Sequence, residues 1–304
     1  MSTPAAKGYP SPSARKAWRT LSSLWEAMLR LFVRGSRRSE RIPVPKGGLY
    51  QSPHFQMSWL PRSSSIPLHR RWMGDIIHFG MKSQTVGCNW IINVAAAAEA
   101  RKTRHPPVSW VAVWVRAIAM AGSKWPELRT CYLPYPWPRM YLHPFTVATL
   151  LVERDWRGAS AVFLDTVKNP EALSIIEIDQ IFQSLRKLPV ESVGAFRLLI
   201  RVSKLPLLLR RFLWSIALYW SGRLRSKYVG SIAINFIRAQ RFAIAQTKTA
   251  ISFTIWFGLV KPNGDMLVQL FWDHRVLDGM AANRMIRDLE AMMNAEIVEE
   301  LSSR

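Results

Sequence analysis

Residues 251–293 read ISFTIWFGLV, KPNGD, MLVQLFWDH, RVLD and then GMAANRMIRDLEAMM. Two β-rich runs are joined by a Pro-Asn-Gly-Asp connection, in which Asn263 and Gly264 tolerate the positive φ of a tight turn, so the pair reads as an antiparallel hairpin. Four residues after the second run, Ala281, Ala282, Met285, Ile286, Leu289, Met292 and Met293 recur at helical spacing. A sheet strand therefore turns directly into a helix with one apolar face, and that helix must pack back on a sheet.

The same alternation runs backwards from there to about residue 69. QTVGCNWIINV reads as a strand, AAAAEARK as a helix start, and VSWVAVWVRAIAMAGSKWPEL as a long apolar helix with little exposed face. FTVATLLVER and ASAVFLDTV follow as strands. After KNP, where Asn169 is placed to cap and Pro170 to take the first helical position, EALSIIEIDQIFQSLRK carries an amphipathic stripe. YVGSIAINFI returns the chain to β. The pattern predicts an α/β (α+β) domain over 69–297.

Outside that domain, residues 1–45 contain a basic amphipathic helix with Trp18, Leu21, Trp25, Met28 and Phe32 on one face and arginines around it. Its two readings are a helix docked on the domain and an arm for a membrane surface or partner. Residues 46–68, rich in proline and serine, read as a linker, and 298–304 as a tail. Inside the domain, a basic and hydrophobic helical insertion is expected at about 194–227. It has no acidic residue between 196 and 228, and its longest charge-free stretch, FLWSIALYWSG, is too short to span a bilayer. This segment fits either the plane of an anionic interface or packing on the domain or on a neighbouring subunit.

Composition narrows the partners. With 42 Lys+Arg against 20 Asp+Glu the chain carries a formal +22, which favours an anionic partner: an acidic lipid surface, a phosphorylated substrate or nucleic acid. No nucleic-acid recognition motif accompanies that charge, so nucleic acid is not expected. Cys88 and Cys131 form neither a disulfide framework nor a zinc-type cluster and read as buried thiols; no metal and no bound cofactor are expected. The first twenty residues lack an apolar signal core, so a cytoplasmic location is expected, with the basic segments as candidates for membrane association.

One histidine stands at the strand-to-helix corner. By strand alternation His274 shares a face with Val268, Leu270 and Trp272, where apolar surroundings would hold its imidazole neutral and able to accept a proton. The competing reading makes His274 a satisfied core residue and Asp278 a helix N-cap, with Gly279 easing the turn.

The residues of this corner, DHRVLDG at 273–279, resemble the Asp-His-Arg-Val-x-Asp-Gly signature of the catalytic domain of dihydrolipoamide acyltransferases, the acyltransferase component of 2-oxo acid dehydrogenase complexes. Chloramphenicol acetyltransferase, a more distant relative, shares His-x-x-x-Asp-Gly. VSWVAVWVRAIAMAGSKWPELRT and GASAVFLDTVKNPEALSIIEIDQ resemble two further stretches of that domain, so the likeness extends over roughly 69–295. It implies a chloramphenicol acetyltransferase-like two-layer sandwich, a large mixed β-sheet covered by helices, assembled as a homotrimer with the active site between subunits. His274 would be the general base for an acceptor thiol or hydroxyl attacking an acyl thioester. Asp278 would orient, paired to Arg70 or Arg71 near the domain start.

The chain departs from the family at the oxyanion donor. Where the family has Gly-Thr-Phe-Thr-Ile-Ser, this sequence has GSIAIN, with Asn235 at the serine position; an amide N–H also donates, and Ser231 is a second candidate to contact substrate. No lipoyl domain or subunit-binding module is expected ahead of the domain, where a basic arm and a Pro/Ser-rich linker stand instead. The expectation is a stand-alone acyltransferase using acyl-CoA or a carrier-bound acyl group as substrate. The alternative is a non-catalytic trimeric scaffold that binds acidic membrane or protein partners through 15–38 and 196–228.

Overall fold

The alternating runs pair into one six-stranded sheet in the computed structural model, which describes residues 65–237 and 248–303. The basic arm and nearly all of the Pro/Ser linker lie outside the described residues. Helix α1 (Leu68–Gly80) leads into β1 (Thr85–Asn93), α2 (Ala95–Lys102) and α3 (Trp110–Lys124). A short hairpin of β2 (Thr130–Leu133) and β3 (Arg139–Leu142) precedes β4 (Val147–Trp156) and β5 (Ala159–Lys168). Then come α4 (Ile175–Lys187), α5 (Gly194–Ser203), α6 (Leu207–Ser215), a π turn at Ile216–Trp220, and α7 (Gly222–Tyr228). Strands β6 (Ile232–Phe236), β7 (Phe253–Val260) and β8 (Asp265–Asp273) and helices α8 (Gly279–Asn294) and α9 (Glu296–Ser302) complete the chain.

The large sheet is ordered β1-β8-β7-β6-β4-β5. It is mixed: β6 runs parallel to β4 and β7, while the β1/β8, β7/β8 and β4/β5 pairs are antiparallel. Registers align Ile232 with Phe253 and Phe253 with Trp272, so that row crosses the three central strands. Because side chains alternate, Ile232, Ile234, Phe253, Ile255, Phe257, Val268, Leu270 and Trp272 share one face, all buried. The helices pack there: Trp114 of α3 stacks on Phe257 at 5.4 Å, and Phe196 of α5 stacks on Phe163 of β5 at 4.8 Å. The opposite face of the central strands carries Thr149, Asn235, Thr254, Gln269 and Asp273 instead.

Several local expectations are corrected. Helix α4 starts at Ile175, not beside Asn169; Ser174 caps it through a reciprocal capping box with Glu177, while Asn169 sits in a left-handed conformation before a 3-10 turn and makes no cap bond. Within the expected tail 298–304, Leu301 is buried, Arg104 Nε donates to the Leu301 carbonyl at 2.7 Å, and Glu300 pairs with Arg116 at 2.8 Å, so these residues pack on the domain. Cys131 is buried but Cys88 is exposed, because β1 is an edge strand with most of its residues open to solvent.

Buried charge is met by nonlocal partners. Asp75 of α1 takes a bidentate contact from Arg210 of α6, and Arg225 of α7 donates to the carbonyls of Leu218 (2.9 Å) and Ala250 (2.7 Å). His143, between β3 and β4, differs: it is fully buried and neither ring nitrogen has a partner among the described residues. Burial, and secondarily the Arg225 charge, push its imidazole down from 6.5 to about 4. The unfolded chain therefore takes up this proton below pH 6.5 while the folded one does not until near 4. Stability from this group is fully present above pH 6.5 and is expected to fall by about 3 kcal/mol as pH drops towards 4. Denaturant melts across that window should show a shallower loss for His143→Gln; equal slopes would contradict the assignment.

Candidate functional site

The corner after β8 is built by one buried carboxylate. Asp273 is the last residue of the strand, and its backbone N–H donates to the Ser252 carbonyl at 2.9 Å. Its Oδ1 accepts from the Arg275 backbone N–H (3.1 Å) and Nε (2.8 Å), and its Oδ2 from Arg275 Nη2 (2.6 Å). The Arg275 guanidinium in turn lies 4.0 Å over the ring of Tyr132 in β2. Trp272 Nε1 donates to the Leu277 carbonyl at 2.7 Å, closing the turn from its buried side.

This frame fixes His274 through its backbone. The His274 N–H donates to the Gln84 carbonyl at 2.9 Å, tying the corner to the residue before β1. The imidazole projects outward, with its side chain 49% exposed and Nδ1 3.7 Å from Asp278 Oδ1. The expectation that it continues the apolar face of Trp272 is corrected: β8 ends at Asp273, and alternation ends with it.

The other site residues fall into two groups. Asp278 is brought to His274; it stands at the N-cap of α8, makes no capping bond, and its side chain is 86% exposed. Gly279 opens α8 with nothing within 4 Å of a Cβ position and no positive φ, so the turn of a single chain does not itself demand a glycine. Arg71 is not brought to Asp278; Nε donates to the Ile66 carbonyl at 2.9 Å and Nη1 to that of Ser203 at 3.4 Å. Ser231 is fully buried, and its hydroxyl donates to the Val147 carbonyl at 3.4 Å, which makes it a strand-end hydroxyl and not the substrate contact expected.

Asn235 is held far from His274 by the sheet. It pairs with Trp256, and Trp256 with Gln269, whereas Trp272 is level with Ile232. The offset along the strands is five residues, roughly 16 Å, with two strand spacings added sideways. Within one chain His274 and Asn235 therefore occupy opposite ends of the central strands. Asn235 is half-buried, and its amide makes no hydrogen bond among the described residues.

Sequence reasoning singled out the histidine and Asp278 but missed Asp273 and Arg275 as the pair that fixes the corner. The signal was present as a carboxylate and a guanidinium two residues apart around a strand end. Among the described residues there is no group of histidine, cysteine or carboxylate side chains that could hold a metal ion.

No family model and no curated protein matches this sequence. Solved structures do match its fold. The chain is similar to a probable dihydrolipoamide acetyltransferase from Listeria monocytogenes 4b F2365, with TM-score 0.54 and 13% identity over 81% of this chain and 98% of that one. It is similar to a truncated catalytic core of the 2-oxoacid dehydrogenase multienzyme complex from Thermoplasma acidophilum, with TM-score 0.55 and 14% identity over 78% and 99%. The dihydrolipoamide acetyltransferase of Azotobacter vinelandii matches with TM-score 0.56 and 13% identity over 82% and 98%. The fold is that of the 2-oxo acid dehydrogenase acyltransferase core. The two-layer architecture with a mixed sheet, expected from the DHRVLDG resemblance, is thus present along nearly the whole length of those cores.

The corner's energetics follow from burial. Asp273→Ala strands the Arg275 guanidinium and opens the turn, and is expected to cost about 2–4 kcal/mol in a denaturant melt. His274→Ala, an exposed truncation, should stay within about 0.5 kcal/mol of the parent. A destabilised His274→Ala alongside a neutral Asp273→Ala would reverse the assignment.

Proposed function

We propose that this chain is an acyltransferase that moves an acyl group from a thioester donor, acyl-CoA or a carrier-bound acyl group, to a thiol or hydroxyl acceptor. The observation that carries the reading is the presentation of His274: its backbone is pinned by Gln84 and by the Asp273 to Arg275 pair, while its imidazole is open, on a fold shared with acyltransferase cores. In this scheme His274 takes the proton of the acceptor, and the acceptor's sulfur or oxygen attacks the thioester carbonyl carbon. The tetrahedral oxyanion collapses, the carbon–sulfur bond breaks, and the leaving thiolate takes the proton back from the imidazolium. Asp278, 3.7 Å from Nδ1, biases ring orientation.

The oxyanion donor must come from elsewhere, because Asn235 of the same chain lies at the far end of the strands. A homotrimer with the site between copies meets that need, Asn235 of one copy facing His274 of the next. Support comes from the unbonded amide of Asn235 and from the exposed edge strand β1, where Ile91 and Val86 are open. The Azotobacter vinelandii enzyme was studied for the roles of a serine, a histidine and an asparagine in its mechanism, the last two four positions apart. His274 and Asp278 have that spacing here, and Asn235 stands where the resemblance places the serine.

One observation favours the scaffold reading. On α6, Leu208 is 83% and Phe212 59% exposed beside the basic Arg211, a face suited to an anionic membrane or an acidic protein. Among the described residues no helix is long and apolar enough to cross a membrane.

The decisive comparison is catalytic. Acyl-CoA thioester cleavage, with and without a thiol acceptor, is expected to fall about 10²–10⁴-fold in His274→Ala with the fold retained. Unchanged turnover, or none in the parent with any thioester, would remove the catalytic reading and leave the scaffold.

A further inference from the structure

Between the β2–β3 hairpin and α7 lies a cavity of about 510 Å³ that the proposed acyl-transfer corner does not use. Arg129, Tyr141, His143, Arg223 and Ser226 contribute its polar lining, and no carboxylate does. Arg223 and Ser226 are three residues apart on α7 and so share a helix face. Arg223 is exposed and makes no hydrogen bond or ion pair among the described residues. Arg129 spends Nη1 on the Pro144 carbonyl at 3.0 Å, while its Nε is buried without a partner.

His143 is the second, independent observation. It is fully buried, lines this cavity, and leaves both ring nitrogens unsatisfied, which costs free energy that an incoming group could recover. Its ring is held edge-on to Tyr141 at 5.1 Å, and Tyr141 rests on Gly222, where any Cβ would overlap the phenol ring. The Tyr141 and His143 side of the wall is therefore closely packed, while Arg223 stands exposed at the rim.

We propose that this cavity binds the phosphate group of a phosphorylated ligand. The two guanidinium groups can only donate, and the phenol, the hydroxyl and the imidazole N–H can each donate as well, a set that an anion rich in acceptors satisfies. A carboxylate offers two oxygens; a phosphate monoester offers three on one centre and carries the charge that two arginines match. The volume exceeds what a bare ion needs and admits the organic part of an ester. A bound dianion would also raise the depressed His143 imidazole, shallowing its acid-dependent stability loss. The phosphate could belong to a coenzyme thioester or to a phospholipid headgroup, and the chemistry at the cavity is common to both.

The test is calorimetric titration of the full chain at low salt with glycerol 3-phosphate, with neutral glycerol as the blank. Saturable binding of the phosphate is expected, weakened at least tenfold in Arg223→Ala and unchanged in Lys261→Ala, an exposed cation in the β7–β8 turn at the other end of the sheet from the cavity. Competition by coenzyme A assigns the phosphate to a coenzyme donor. Arg223-dependent sedimentation with phosphatidate vesicles, absent with phosphatidylcholine alone, assigns it to lipid. No saturable binding, equal loss in Arg223→Ala and Lys261→Ala, or an unchanged Arg223→Ala overturns the proposal. His274→Ala should leave this binding intact, so failure of the acyl-transfer reading and failure of this one are separately visible.

Discussion

The register of β6, β7 and β8 is the constraint on which everything else at the site depends. Ile232, Phe253 and Trp272 stand in one row, and moving any strand by one residue would exchange its buried apolar set for Thr254, Gln269 and Asp273. That cost holds the row, and the row decides where the chemistry can be. His274 follows two residues beyond Trp272, while Asn235 lies three residues from Ile232 in the opposite direction. No side-chain rotation closes a gap of that size. A complete acyl-transfer site needs either a different donor or a second copy of the chain.

Much of the fold is legible in the sequence because periodicity reports burial directly. The KPNGD hairpin, the apolar helix α3 and the Met-rich stripe of α8 are all local patterns, and all three are present. What failed was less local. Alternation was carried one residue past the end of β8, so His274 reads as inward although it is presented outward. Ser174 and Glu177 spell a capping box that Asn169 and Pro170 obscured. Cys88 and the edge strand β1 are exposed for a topological reason: β1 is the last strand in the sheet order, and strand order does not show in one segment. Leu301 belongs to the core although its helix is too short to declare itself.

The candidate site divides the same way. His274 and Asp278 are visible as a motif because they are four residues apart on one corner. The separation of His274 from Asn235 is invisible in the sequence, since it comes from strand pairing. The basic excess also changes meaning once folded. Arg210, Arg225 and Arg104 spend their donors on Asp75 and on backbone carbonyls, so they act as internal cross-links, whereas Arg223 stays exposed. Net charge counts these arginines equally, but only the second kind is available to a ligand.

The central claim is that His274 works with a donor supplied by another copy of the chain. Co-expression of His274→Ala with Asn235→Ala tests it, because each variant alone lacks one half of every site. Random mixing in a trimer should return about a quarter of the parent acyl-transfer rate, from interfaces that pair an intact histidine with an intact asparagine. Hybrid trimers that form and stay at the level of the single variants would contradict it.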